Sequence, residues 1–169
     1  EGPDSTLTAT LSDSLVGNLK ATDRSLIKAS IGGTLTGDVS AIDSDIILTA
    51  GSVIGNLYAE DDSPASITAD VGNVTGSVTA VNTGAKITLT ADTVTGSLAT
   101  LHGGTLTASI ANTFMGTTSD DSIEDLATND LVLNLAGGAT WNLTDSSTVS
   151  TLNAEGGLLA LWTAGWVRR

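Results

Sequence analysis

The side chains that could do chemistry in this chain are mostly carboxylates. Asp43, Asp45, Asp61, Asp62 and Asp70 share the first half with Lys20, Arg24 and Lys28, and Lys86 follows. Paired acids beside a cation are the equipment of glycan cleavage, where one donates a proton while the other attacks or activates water. Acid pairs also supply the oxygen ligands that Ca²⁺ prefers. The spacing supports neither chemistry. The cations form no constellation matched to the acids, and the Gly-Gly-x-Gly-x-Asp calcium repeat is missing. Asp43, Asp45, Asp61 and Asp62 read instead as solvated corner acids available for surface contact. His102, the single histidine, lies beside Gly103-Gly104 and reads as an exposed loop residue. There is no Gly-x-Ser-x-Gly elbow. Cysteine is absent, which rules out thiolate catalysis, disulfides and cysteine-ligated metals. The expectation is a chain without catalytic residues, cofactor or metal.

What positions these acids is a repeat. Val74-Thr75-Gly76-Ser77-Val78 is rewritten as Leu15-Val16-Gly17-Asn18-Leu19, Leu35-Thr36-Gly37-Asp38-Val39, Val53-Ile54-Gly55-Asn56-Leu57 and Val94-Thr95-Gly96-Ser97-Leu98. A degraded copy stands at Phe114-Met115-Gly116-Thr117. The six central glycines are 20, 18, 21, 20 and 20 residues apart. Such a period marks a solenoid, in which each unit buries its apolar face only by stacking on its neighbours. About half a period after each glycine a second alternating segment recurs, as in Ile67-Thr68-Ala69 and Ile87-Thr88-Leu89. Alternation of apolar and polar residues over short runs predicts half-buried strands.

Stacking the copies predicts three inward columns. The first is Leu15, Leu35, Val53, Val74 and Val94; the second is Leu19, Val39, Leu57, Val78 and Leu98. The third is Ile27, Ile47, Ile67, Ile87 and Leu106. Thr68, Thr88 and Thr107 would point outward, in a column interrupted by Lys28 and Leu48. Four residues before each glycine stands Asp13, Gly33, Gly51, Gly72, Asp92 or Asn112, residue types that tolerate positive φ, which predicts one shared turn geometry. Insertions at Asp61 to Pro64 and around Asn82 to Gly84 predict loops on one exposed side. The fold class that follows is all-β, a right-handed parallel β-helix, the hand following the usual crossover preference. Leucine-rich repeats share the period but lack this pattern, and an antiparallel barrel would show hairpin pairs.

Composition agrees. Hydrophobic residues make up 40% but aromatics only 3%, so the core must be built from small aliphatic side chains. Six Lys and Arg face 19 Asp and Glu, a net charge of −13 that argues against nucleic acid and anionic membrane partners. No run approaches the roughly 18 apolar residues of a bilayer-spanning helix. No secretory leader stands at Glu1, as expected of a processed or excised segment. Absence of Cys also suits export through an oxidising periplasm.

The sequence divides into a patternless end (1–6), the repeat coils (7–116), larger final coils (117–157) and a tail that fits no repeat (158–169). A short helix is expected around Ser122 to Ala127. Trp141 reads as the only large core side chain before the tail, and the final coils as a cap over the open end of the stack. Gly137-Gly138-Ala139-Thr140-Trp141-Asn142-Leu143, followed by Ser147-Thr148-Val149-Ser150-Thr151-Leu152 and Gly156-Gly157, resembles the end of bacterial autotransporter passenger domains of the pertactin-like and AIDA type. The resemblance implies export through the periplasm and outer membrane of a Gram-negative bacterium and display at its surface by a parent C-terminal β-barrel in cis. It also implies that Trp141, Leu143, Gly137, Gly138, Gly156 and Gly157 belong to an autochaperone-like region that folds first and templates the other coils. The function to expect is a non-catalytic stalk and adhesin. Its partners would be a host surface protein or glycan, or the same protein on a neighbouring cell. The alternative is a fragment of a β-helical polysaccharide-degrading enzyme.

Overall fold

The computed structural model describes residues 4–61, 64–121, 130–156, 158–161 and 167–168. Within them the chain is an all-β solenoid of about seven stacked turns, each of about 20 residues. The first turn holds β1 (Ser5–Leu11), β2 (Leu15–Val16) and β3 (Leu19–Ala21). The second holds β4 (Ser25–Thr36) and β5 (Val39–Ile42), the third β6 (Asp45–Ile54) and β7 (Leu57–Glu60), and the fourth β8 (Ala65–Thr75) and β9 (Val78–Val81). In the next two turns the segments run on through the bend as β10 (Ala85–Leu101) and β11 (Thr105–Asp120). β12 (Asp130–Leu135), β13 (Thr140–Leu143) and β14 (Ser147–Thr148) stack on these, and β15 (Thr151–Ala154), β16 (Leu158–Leu161) and β17 (Val167–Arg168) stack in turn on them. Every pairing among the described strands is parallel, as β4 on β6 and β8 on β10 illustrate. The expected helix near Ser122 and the Gly157 corner lie outside the described residues.

The central glycines form a stack of their own. Gly17, Gly37, Gly55, Gly76, Gly96 and Gly116 all have φ between 145° and 154°, a region that L side chains rarely adopt. A Cβ on Gly76 would sit 2.1 Å from the carbonyl oxygen of Gly55, and one on Gly96 would sit 2.0 Å from that of Gly76. From Gly37 onward each glycine therefore lets its backbone rest on the glycine one turn earlier. The next residue locks the bend. Asn18 accepts the N–H of Asp38 at 2.8 Å, Asp38 that of Asn56 at 2.8 Å, and Asn56 that of Ser77 at 2.9 Å.

Alternation within each turn sends small apolar side chains inward. The first two columns pair as expected, and Val94 continues into Phe114 and then Trp141. Phe114 is fully buried and stacks on Trp141, with ring centroids 5.3 Å apart at 21°. Trp141 is thus one of two large core side chains, a correction that follows from Phe114 occupying the inward position of its repeat copy. The third column also needs correction. Ile46, not Ile47, pairs with Ile27 and Ile67, while Ile47 is 45% exposed. Two adjacent isoleucines made the phase ambiguous, and burial of Leu48 and Ala50 on the same face as Ile46 decides it. Ile47, not Leu48, therefore interrupts the outward column of Lys28, Thr68, Thr88 and Thr107.

The expected turn shared by Asp13, Gly33, Gly51, Gly72, Asp92 and Asn112 does not require positive φ, which these residues lack. Glycine serves there for close approach, because a Cβ on Gly72 would lie 2.5 Å from the Gly51 carbonyl oxygen. Positive φ falls on the other corner instead, at Asp23, Asp43, Asn82 and His102. The insertions at 61–64 and 82–84 fall between strands at that same corner, as the sequence suggested.

Packing along the axis alternates in size. Ala29, Leu48, Ala69, Leu89 and Ala108 follow one another in register, and beside them run Ile31, Ala50, Val71, Ala91 and Ile110. A large residue in one column meets a small one in the other, so each turn fills a similar volume.

Two measurements check this construction. Gly76→Ala should lower the free energy of urea unfolding by about 3 kcal/mol or more, because both φ and the Gly55 carbonyl oppose a methyl; Gly17→Ala, where a Cβ would meet nothing within 4 Å, should cost only about 1–2 kcal/mol. Leu89→Ala should cost about 2–4 kcal/mol, and adding Ala91→Leu should restore at least about 1 kcal/mol of that.

Candidate functional site

Of the acids singled out in the sequence, Asp43, Asp45 and Asp61 fall at the insertion corner but do not form one exposed set, and Asp70 lies within β8. Asp43 is half-buried in the turn between β5 and β6, with φ 50°, and its N–H donates to the Glu60 carbonyl oxygen at 3.2 Å. Asp45 is exposed at the start of β6 and accepts a hydrogen bond from the Ser66 hydroxyl one turn later. Asp61 is only 3% exposed, which corrects its reading as a surface contact. Its carboxylate occupies the space that a Cβ on Gly84 would need, so it packs against the next turn. Asp62 lies outside the described residues.

His102 is exposed at the same corner, with φ 52°, and its backbone N–H donates to the Asp121 carboxylate at 3.0 Å. Among the described residues, no group of three or more His, Cys, Asp or Glu side chains is placed to hold a metal ion. Nearby on β7, the Tyr58 hydroxyl donates to Glu60 at 2.9 Å. Burial first, and then this bond and the Glu60 charge, push the phenol up from its ordinary 10.0.

The residues expected to shape the final coils do so in distinct ways. Trp141 is fully buried and donates its indole N–H to the Gly116 carbonyl oxygen at 3.1 Å. Leu143 pairs with Gly116 and is buried, so the glycine stack ends here. Gly137 and Gly138 form a tight turn closed by the Ala139 N–H on the Ala136 carbonyl at 2.9 Å, with Gly138 at φ 89°. Gly156 has φ 74° in the following corner. A buried polar cluster, unseen in the sequence, ties these coils to β11. Asp120 accepts from Thr100 and Ser150, its N–H donates to Thr148 at 2.7 Å, and Ser147 accepts the Thr118 N–H at 3.0 Å. Alternation alone placed Thr118 and Asp120 inward, continuing the Leu98 and Thr100 positions.

A groove of about 920 Å³ crosses the turns along the axis. It runs beside the bend that holds Gly72 and Asp92, and Ala50, Val71, Ala91 and Ile110 line it. One wall is a register column of Thr49, Asp70, Thr90, Ser109, Asn134 and Asn153, one residue per turn. Asn153 donates its amide to Asn134 at 2.8 Å, and Asn134 donates to Ser109 at 3.2 Å. Asp92 and Glu155 line the groove as well. Asp70 and Asp92 were visible in the sequence, but their sharing of one groove depends on the turn stacking. No protein-family model matches this chain, and neither does any curated protein or solved structure.

Tyr58 is the only tyrosine, so ultraviolet titration reads it cleanly. Its midpoint should lie above 10.0, and Glu60→Gln should bring it down toward that value without reaching it, because burial persists. The sign for stability follows: a phenol raised in the folded state contributes below the unfolded value and loses that contribution as pH climbs through the folded one.

Proposed function

We propose that this chain is a non-catalytic stalk and adhesive segment of a secreted autotransporter passenger, carried on the cell surface of a Gram-negative bacterium. One observation carries the reading furthest. Among the described residues the parallel stack carries, within the stretch whose sequence resembles the autochaperone region, Trp141 stacked on Phe114 of the turn before. Parallel strand stacks are slow to form because each pairing closes a long loop, so a coil anchored by two large rings is a physically sensible place to begin. Along the rod, outward columns repeat similar polar side chains at roughly 4.8 Å, which suits many weak contacts over one tight pocket. The partners are then a host surface protein or glycan, or the same protein on a neighbouring cell.

A second reading, a polysaccharide-degrading fragment, draws on Asp70 and Asp92 lining the same axial groove. Reducing-sugar release from acidic and neutral glycans, with and without calcium, decides between the two.

Cells that do not adhere, made to display the parent protein, should settle faster or bind surfaces better than cells without it. Unchanged settling and binding would count against the adhesive role. Trp141→Ala in the same parent should cut the amount reaching the surface, and an unaltered yield would sink the templating role.

A further inference from the structure

We propose that the axial groove binds a linear polymer of protonated amino sugars, with about one sugar per turn. This rests on the adhesive reading for its setting and names the partner chemistry of that surface. The sign of charge comes first. Asp70, Asp92 and Glu155 line the groove, no Lys or Arg does, and none of the three acids makes an ion pair among the described residues. An anionic glycan or nucleic acid would meet like charge, and a neutral glycan would cover carboxylates without neutralising them. A polymer carrying ammonium groups supplies what the walls lack.

The repeat comes second. Turns stack at roughly 4.8 Å, whereas an extended peptide advances about 3.3 Å per residue. One β-linked sugar spans close to one turn, so successive rings can meet successive members of the Thr49, Asp70, Thr90, Ser109, Asn134 and Asn153 column in the same way. Hydroxyls there both donate and accept, and each asparagine amide keeps a second N–H beyond its ladder bond. Among the described residues, no aromatic side chain lines the groove for a ring to stack on. Attraction must come from charge and hydrogen bonds spread over several turns, and it should fall steeply with salt.

The test uses the purified 169-residue protein and four probes in calorimetric titration: hexamers of glucosamine and of N-acetylglucosamine, oligolysine, and an oligogalacturonate. The glucosamine hexamer should bind, more weakly as salt rises, and the others should bind at least about tenfold less well. Asp70→Asn with Asp92→Asn should weaken glucosamine binding by about tenfold or more. Asp13→Asn with Asp23→Asn removes the same charge at exposed positions outside the groove and should leave binding unchanged. Equal binding of the acetylated hexamer or of oligolysine overturns the proposal, and so does an equal loss in both double variants. Adhesion by displayed cells together with no hexamer binding refutes the groove assignment alone. Hexamer binding without adhesion refutes the adhesive reading and leaves the groove assignment standing.

Discussion

The whole rod depends on one backbone contact repeated turn after turn, a glycine lying directly on the carbonyl of the glycine before it. At Gly55, Gly76, Gly96 and Gly116 the space for a Cβ is already filled by backbone oxygen, at distances from 2.1 Å down to 1.7 Å. No side chain can relax that clash, because the obstructing atom belongs to the main chain of a neighbouring turn. The bend fixes where each turn changes direction, and thereby which residues of the following strand face inward. The Asn18, Asp38 and Asn56 side chains then hold the bend by accepting the next turn's N–H groups.

Given that frame, the interior is a problem of volume. Columns of Leu, Val, Ile and Ala fill it because residues adjacent along one strand compensate each other, Leu89 beside Ala91 and Ala108 beside Ile110. Towards the final turns the filling changes character. Phe114 and Trp141 enlarge one column, and the Trp141 indole uses the Gly116 carbonyl at the point where the glycine stack stops. Alongside, Thr118 and Asp120 bring polar groups inside, where Ser147, Thr148 and Ser150 meet them. Buried polar groups of this kind are costly unless bonded. The Asp120 carboxylate and the Thr118 and Asp120 N–H groups find partners in Thr100, Ser147, Thr148 and Ser150, whereas the Thr118 hydroxyl has none among the described residues. The final coils are therefore joined to the stack by specific bonds as well as by apolar burial.

The outer surface inherits the same periodicity. An outward position recurs, turn by turn, along an axis, so a functional surface on this rod is a line and not a point. The groove that holds Asp70 and Asp92 is such a line, and its acids face no cation among the described residues. The insertion corner is less uniform: Asp45 is exposed, Asp43 half-buried and Asp61 buried behind Gly84. Charge counted along the chain treats these acids alike, although their surroundings give them different work.

The period of the glycines was enough to determine the parallel solenoid, its two glycine-flanking columns and the corner that takes insertions, because each is a local choice enforced at every turn. Phase was harder. Ile46 and Ile47 are chemically equivalent neighbours, and only pairing with Ile27 and Ile67 chose between them. Phe114 looked like a flaw in a repeat and proved to be the ring on which Trp141 stacks. The groove and the polar cluster at Asp120 were not legible, since the repeat shows which residues stack but not which cavity their corners enclose or which partners the irregular final coils supply. The chain by itself determined the coil, because backbone sterics and alternation act within one turn. Which side chains share a wall, a cluster or a cavity was decided only by tertiary stacking, because register between turns is set by the summed fit of all of them.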